Sequence, residues 1–505
     1  MSATFAALGQ RTYRLYFTGG AVSNIGSWVQ RVAQDWLVLQ IGGGATGLGI
    51  TTGLQFLPFL LLSPLGGILA DRFPKKRILQ TTQVTMALLA GTLGLLTVTH
   101  SVQVWHVYVL AFLFGVAGAL DAPARQSFVV EMVGRDRLAN AIGLNSASFN
   151  AARLIGPALA GLLIVVIGTG PVILLNAVTY AGTFLALAFI RDSDLTAPEP
   201  VPHGKGMFAE GLRYVRTRPQ LMLVMVIAGI VGAFGLNFQL TSALMATEVF
   251  GKGAGEFGVL GSVLAIGSLA GALMAARRGM PRGRLIVAAA AGFGAIEVVS
   301  GLMPTYVTYA LTLPLVGFTS LTLLTAANST LQLTVSPQMR GRVMAVYLMV
   351  FQGSTPIGSP IIGWIGEHLG ARWTLILGGG ISLVGVVVTA LVVAHARHLV
   401  VRAHVLPTPH VHVFSEPTYD DRRATLATPA GRAAAGSVRR LLTGGDSYLA
   451  AIRRQPTARP TAPMRQSATG PLPTRPPATR PAPASPGPTR PVGRPAVSAA
   501  SRAPA

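Results

Sequence analysis

Apolar residues run along this chain in blocks of about 20, each nearly free of charge, and short clusters of Arg and Lys with Gly or Pro separate them. The blocks lie near 15–41, 46–70, 78–98, 104–130, 139–167, 171–190, 220–243, 255–276, 285–303, 306–330, 343–366 and 373–394. Each is long enough, as a helix, to cross a hydrocarbon core of ~30 Å. The pattern predicts an all-α polytopic membrane protein with twelve transmembrane helices.

Composition agrees: 51% of residues are hydrophobic and 11% charged, too little charge to cover the surface of a soluble domain. The start, MSATFAALGQRTYRLYF, has no signal-cleavage pattern, so the first block is expected to stay as a span. With no cysteine, disulfides and thiolate metal sites are excluded. The net charge of +23 suggests nucleic acid, but its placement argues for the lipid bilayer as the partner instead. With the N-terminus inside, 19 bases from Arg11 to Arg342 fall on inner segments and only Lys252 and Arg372 on outer loops. By the positive-inside rule both termini are expected in the cytoplasm.

The longest inner loop, 191–219, divides the spans six and six, into bundles expected at 1–190 and 220–402. Within it, EGLRYVRTRP places Leu212 and Val215 on one helical face and Arg213 and Arg216 elsewhere, as in a short interfacial helix. The halves also resemble each other. IGPALAGLL (155–163) lies over IGSPIIGWI (357–365) at an offset of 202, and SPLGGILADR (63–72) over SLAGALMAAR (268–277) at 205. A parallel six-span repeat implies two bundles related by an axis along the membrane normal. Residues 403–505 read as a disordered basic tail: they hold 14 Arg against 4 acids, and the last fifty residues hold 14 Pro. Two readings of the tail stand side by side, a solvated segment and, through SVRRLLTGGDSYLAAIRR, a basic helix on anionic lipid.

The stretch GGILADRFPKKR between the second and third blocks resembles the cytoplasmic loop signature of the major facilitator superfamily. Gly67, Asp71, Arg72, Lys76 and Arg77 match it, while Pro74 replaces the usual second glycine. The resemblance implies ion pairs that hold a cytoplasmic gate, with Glu131 as the partner in span four. NAARLIGPALAGLL resembles the superfamily's antiporter motif through Gly156, Pro157 and Gly161, with Ala160 in place of a glycine. Proline bends a membrane helix and small residues let it pack closely. SNIGSWVQRVAQDWLVL, LDAPARQSFVVEMV and RGRVMAVY resemble the branch holding enterobactin exporters, macrolide efflux proteins and transmembrane secretion effectors. That likeness covers about 10–395 and implies the two-bundle major facilitator fold and export by proton antiport. The arginine common in span four of other drug exporters is missing, with Ala111 near its place.

Ionisable residues inside a span are costly and mark pathways or pairings. Arg31 and Asp35 lie one turn apart in span one, with Asn24, Gln30 and Gln34 nearby, and Asp121 and Arg125 one turn apart in span four. Each pair reads either as lining of a substrate path or as a self-neutralised lock between helices. Asp35 is the first choice for proton carrier and Asp121 the second. Arg153 reads as a cavity or packing cation, and Glu297 as a gate or a hydrated helix end. Asn237, Gln239 and Asn328 read as helix–helix hydrogen-bond donors rather than substrate ligands. No phosphate-binding loop occurs, since FGKGAGE around Lys252 lacks the spacing, so an ion gradient is the expected energy source. His410 and His412 are expected to be solvated.

The resulting expectation is a monomeric secondary exporter of amphiphilic small molecules, exchanged for protons across a bacterial inner membrane. It needs no cofactor or metal and has no enzymatic activity. A non-transporting sensor or scaffold, or an uncoupled facilitator, is the alternative.

Overall fold

The computed structural model describes residues 3–195, 207–276, 283–396, 399–404 and 410–415. The apolar blocks become helices: α1 (Arg11–Gln40), α2 (Gly44–Arg72), α3 (Lys75–Val98), α4 (Val104–Ile167) and α5 (Thr169–Ala188). After the short α6 (Met207–Arg216) come α7 (Pro219–Ile230), α8 (Phe238–Leu244), α9 (Ala254–Ala276), α10 (Gly283–Gly301) and α11 (Tyr306–Thr334). The last are α12 (Pro337–Gly353), α13 (Thr355–Leu369) and α14 (Ala371–Ala396).

Among the described residues, ten helical segments are long and apolar enough to cross a membrane. Two further blocks fall outside that count for physical reasons. α1 spans 30 residues but carries Asn24, Gln30, Arg31, Gln34 and Asp35. The block at 343–366 is interrupted at Ser354, between α12 and α13. Conversely, blocks four and five merge into α4, broken at Gly134, whose φ of 68° and ψ of −179° suit only glycine. Block seven continues from α7 through a wide turn at Val231–Gly235 into α8.

α6 forms where the sequence predicted a helix, with Val215 buried, Leu212 half-buried and Arg213 and Arg216 exposed. Its Gly211 lies against the backbone of Arg342, and Glu210 pairs with Arg342, docking α6 on the start of α12. It packs on protein, and its apolar face joins the core cluster.

The repeat is visible in how its glycines pack. A Cβ on Gly156 would lie 2.5 Å from Trp28 Cβ on α1; on Gly358 it would meet Ala233 O, following α7. A Cβ on Gly161 would lie 2.7 Å from Ala254 O on α9; on Gly363 it would lie 2.6 Å from Ala45 O on α2. Equivalent glycines thus press against equivalent helices of opposite halves, as a parallel repeat requires.

Residues 403–404 and 410–415, expected to be structureless, extend a pairing instead. Leu399–His404 and His410–Ser415 form an antiparallel two-stranded ladder, in keeping with the strand preference of its valines. The tail reading for 417–505 lies outside the described residues.

Candidate functional site

A cavity of about 290 Å³ lies between the two halves of the bundle. The N-terminal half contributes Trp28, Arg31, Phe56, Arg153 and Pro157; the C-terminal half contributes Asn237, Gln239, Ser242, Phe257 and Phe351, among others. Arg31 stands 5.2 Å from the Trp28 ring centre and 5.8 Å from that of Phe56, and Arg153 stands 6.0 Å from Trp28. Trp28 is fixed edge-on to Phe149. Gly156 gives it room, since any side chain there would strike Trp28.

The end of the bundle away from the basic loops is sealed. A Cβ on Gly49 would come within 2.4 Å of Ser359 O, and one on Gly258 within 2.3 Å of Pro157 O, so α2 meets α13 and α4 meets α9 backbone to backbone. Glu367 on α13 accepts from the Ala45 N–H at 2.8 Å, capping the free donors at the start of α2. At the proline bend, Ser262 of α9 inserts its hydroxyl into the α4 ladder. It donates to Leu154 O at 2.7 Å and accepts from Ala158 N–H at 3.2 Å. Pro157 and Gly161 therefore sit where α4 meets α9, while Gly156 faces Trp28 on α1.

The two predicted charge pairs differ. Asp121 and Arg125 are joined at 2.7 Å, and Asp121 also accepts from Thr82 at 2.8 Å and Gln83 at 3.1 Å. Neither lines the cavity. Asp35 is buried and has no hydrogen bond or ion pair among the described residues, whereas Arg31 faces the cavity. Glu297 on α10 is 0% exposed, so it is no hydrated helix end. Neither of its oxygens has a hydrogen-bond partner among the described residues. It lies beside Gly379 of α14 and within electrostatic reach of Tyr309, whose hydroxyl is 3.3 Å from the cavity residue Ser242.

At the basic end, Lys75 of α3 forms a buried 2.6 Å ion pair with Glu131. Lys76 donates to Ile190 O at 2.6 Å and pairs with Asp192 at 2.8 Å. That hydrogen bond and the lysine charge hold the exposed Asp192 carboxyl below the usual carboxylate range. Arg72 and Arg77 are exposed. The side chains of Gly67 and Asp71 lie outside the described set, so the expected Asp71 gate pairs do too.

The model of the family described as transmembrane secretion effector matches residues 2–418. The chain belongs to that family. It is 27% identical over 374 residues to the multidrug efflux pump Tap of Mycolicibacterium fortuitum, covering 72% of this chain and 91% of the relative. Similarity to the staphyloferrin A transporter of Staphylococcus aureus is 23% over 362 residues, covering 71% and 90%. In fold it resembles a bacterial homologue of the human lysosomal transporter Spinster, in an inward-facing, unoccupied conformation. The TM-score is 0.58 at 16% identity, covering 76% of this chain and 95% of that one. This secretion effector is thus a multi-pass membrane protein with a major facilitator transporter fold.

Several contacts around the cavity and the basic end escaped the sequence reading. Lys75, not Lys76, meets Glu131, a choice set by which lysine opens α3. Ser262 has no motif of its own, and Trp28 lies in SNIGSWVQRVAQDWLVL without being singled out there; only the bend at Pro157 and the small Gly156 hinted at partners. Asn237, expected to donate between helices, donates to Ala233 O of its own span at 2.8 Å, accepts from Ser359 of α13 at 2.6 Å and also lines the cavity. Asn24 and Gln30 bond Ser148 and Asn176, tying α1 to α4 and α5. Gln239 instead lines the cavity, and its Nε2 lacks a partner among the described residues. No group of three or more metal-ligating side chains occurs among the described residues.

Proposed function

We propose that this protein exports amphiphilic small molecules from the cytoplasm of a bacterium in exchange for protons. On this reading it is a monomer of twelve spans in the inner membrane, with both termini inside. The observation that carries it is the cavity between repeat-related halves, lined from both and sealed at one end by glycine contacts. A midplane site between two such halves is what alternating access requires: rocking one half against the other exposes it to each side in turn. The basic loops mark the inner side, so the sealed end is the outer one and the conformation is outside-closed.

Proton exchange is supported by two buried carboxylates that make no hydrogen bond among the described residues, Glu297 and Asp35, the latter one turn from Arg31. The names of the relatives, a multidrug efflux pump and a siderophore transporter, support export of drug-like or siderophore-like compounds.

The test is flux in proteoliposomes containing the full chain, loaded with a panel of fluorescent amphiphiles. An imposed pH gradient is expected to drive accumulation, and a protonophore to abolish it. Flux indifferent to the gradient would make the protein an uncoupled facilitator. No flux for any compound would favour a sensor or scaffold.

A further inference from the structure

We infer that the central cavity selects anionic ligands, carboxylates on an aromatic or otherwise flat apolar body, and rejects organic cations. The inference rests on the reading of this cavity as the transport site and adds the chemical class of its ligand.

Arg31, Arg153 and Gln239 bring hydrogen-bond donors to the cavity wall. Arg31 and Arg153 have no hydrogen bond or ion pair among the described residues, and Gln239 Nε2 is buried without a partner. No Asp or Glu is among the cavity-lining residues. The acid nearest in sequence, Asp35, lies one turn further along α1, buried and out of the lining. It is within electrostatic reach of Arg31 but forms no ion pair with it within 4 Å, and no acid is within such reach of Arg153 among the described residues. Two guanidiniums thus share one partly desolvated space, both within 6.0 Å of the Trp28 ring.

Like charges held together in a low dielectric are unfavourable, and an entering anion relieves that repulsion while supplying the missing acceptors. Arginine presents a planar fork of donors that fits a carboxylate in a bidentate manner. The rest of the wall offers Phe56, Phe257 and Phe351 as flat apolar surface for the ligand's body. An organic cation gains the aromatic faces but meets two guanidiniums already placed on them.

The test uses two probes with one ring system, 2-naphthoate and 2-naphthylmethylammonium, titrated calorimetrically into full-length protein in detergent without any gradient. The carboxylate is expected to bind about tenfold tighter or more, the scale of one charge-assisted contact. Arg31→Gln and Arg153→Gln are each expected to erase most of that preference, while Arg153→Lys, keeping the charge, retains part of it. Thermal unfolding of each variant separates lost binding from lost folding. Equal or tighter binding of the ammonium probe, or no carboxylate binding at millimolar concentration, overturns the inference. Carboxylate preference in a protein that moves nothing in proteoliposomes would leave this inference standing and remove the export reading. Flux without charge preference does the reverse.

Discussion

Lys75 and Glu131 form a 2.6 Å ion pair that joins the first turn of α3 to α4, with both side chains almost closed to solvent. Both belong to the N-terminal half, so the bond does not cross the seam and need not break when the halves rock. Removing one partner of a buried pair strands the other charge, at a cost of ~3–5 kcal/mol. Glu131→Leu is therefore expected to lower the unfolding temperature and membrane abundance markedly. The double variant with Lys75→Met is expected to recover most of the loss. Normal stability of Glu131→Leu would show that the pair is hydrated in the membrane.

A second expectation concerns the outer seam. Gly49 and Gly363 face each other there, and a Cβ on Gly49 would lie 2.4 Å from Ser359 O. Backbone cannot yield as a flexible side chain does, so Gly49→Val is expected to prop the seam open without unfolding either half. The chain contains no cysteine, which makes Thr52→Cys, in the cavity wall, a clean reporter. Its labelling by an impermeant maleimide from outside is expected to rise several-fold in the Gly49→Val background. Unchanged labelling would mean that this contact does not close the cavity.

These residues also show what a sequence conveys. Span positions were legible because hydropathy is a property of the segment alone. The aligned glycines Gly156, Gly358, Gly161 and Gly363 each lie at a close contact, as close helix approach demands of small residues, though the sequence did not say against what. Partner choice was not legible. Asp35–Arg31 and Asp121–Arg125 have the same spacing, yet only the second closes into an ion pair, fixed by Thr82 and Gln83 from α3. Nothing within span four announces those neighbours. Likewise Glu297 sits four residues from the end of α10, which suggests hydration, but α14 covers it.

Removal of residues 417–505 is expected to leave insertion and flux near the full-length level. The family match ends at 418, and residues 1–416 make one compact unit containing the whole cavity. Loss of flux at normal abundance would assign the segment a role in transport.

The last expectation concerns the coupling acid, where geometry reorders the candidates. Asp121 has a full set of donors in Arg125, Thr82 and Gln83 and lies off the cavity. Its neutralisation should therefore act on the fold: Asp121→Asn weakens charge-assisted bonds worth about 1.5–3 kcal/mol and leaves Arg125 short of its counter-charge. Reduced abundance with residual pH-driven flux is the expected result. Among the described residues Glu297 has no hydrogen-bond partner, and Asp35 has none either but feels the charge of Arg31 one turn away. A carboxylate in an apolar interior is costly as an anion; at Glu297 nothing described offsets that cost, while at Asp35 the charge of Arg31 offsets part of it. Asp35 adjoins the cavity arginine Arg31 along α1, while Glu297 reaches the cavity through Tyr309 and Ser242. Asp35→Asn and Glu297→Gln are expected to keep normal abundance and unfolding temperature. Naphthoate binding should survive in both, because neither residue lines the cavity. Flux driven by a pH gradient should fall to background in at least one of them, and substrate exchange without a gradient should persist in that variant. Normal gradient-driven flux in both would remove these two acids from the coupling mechanism.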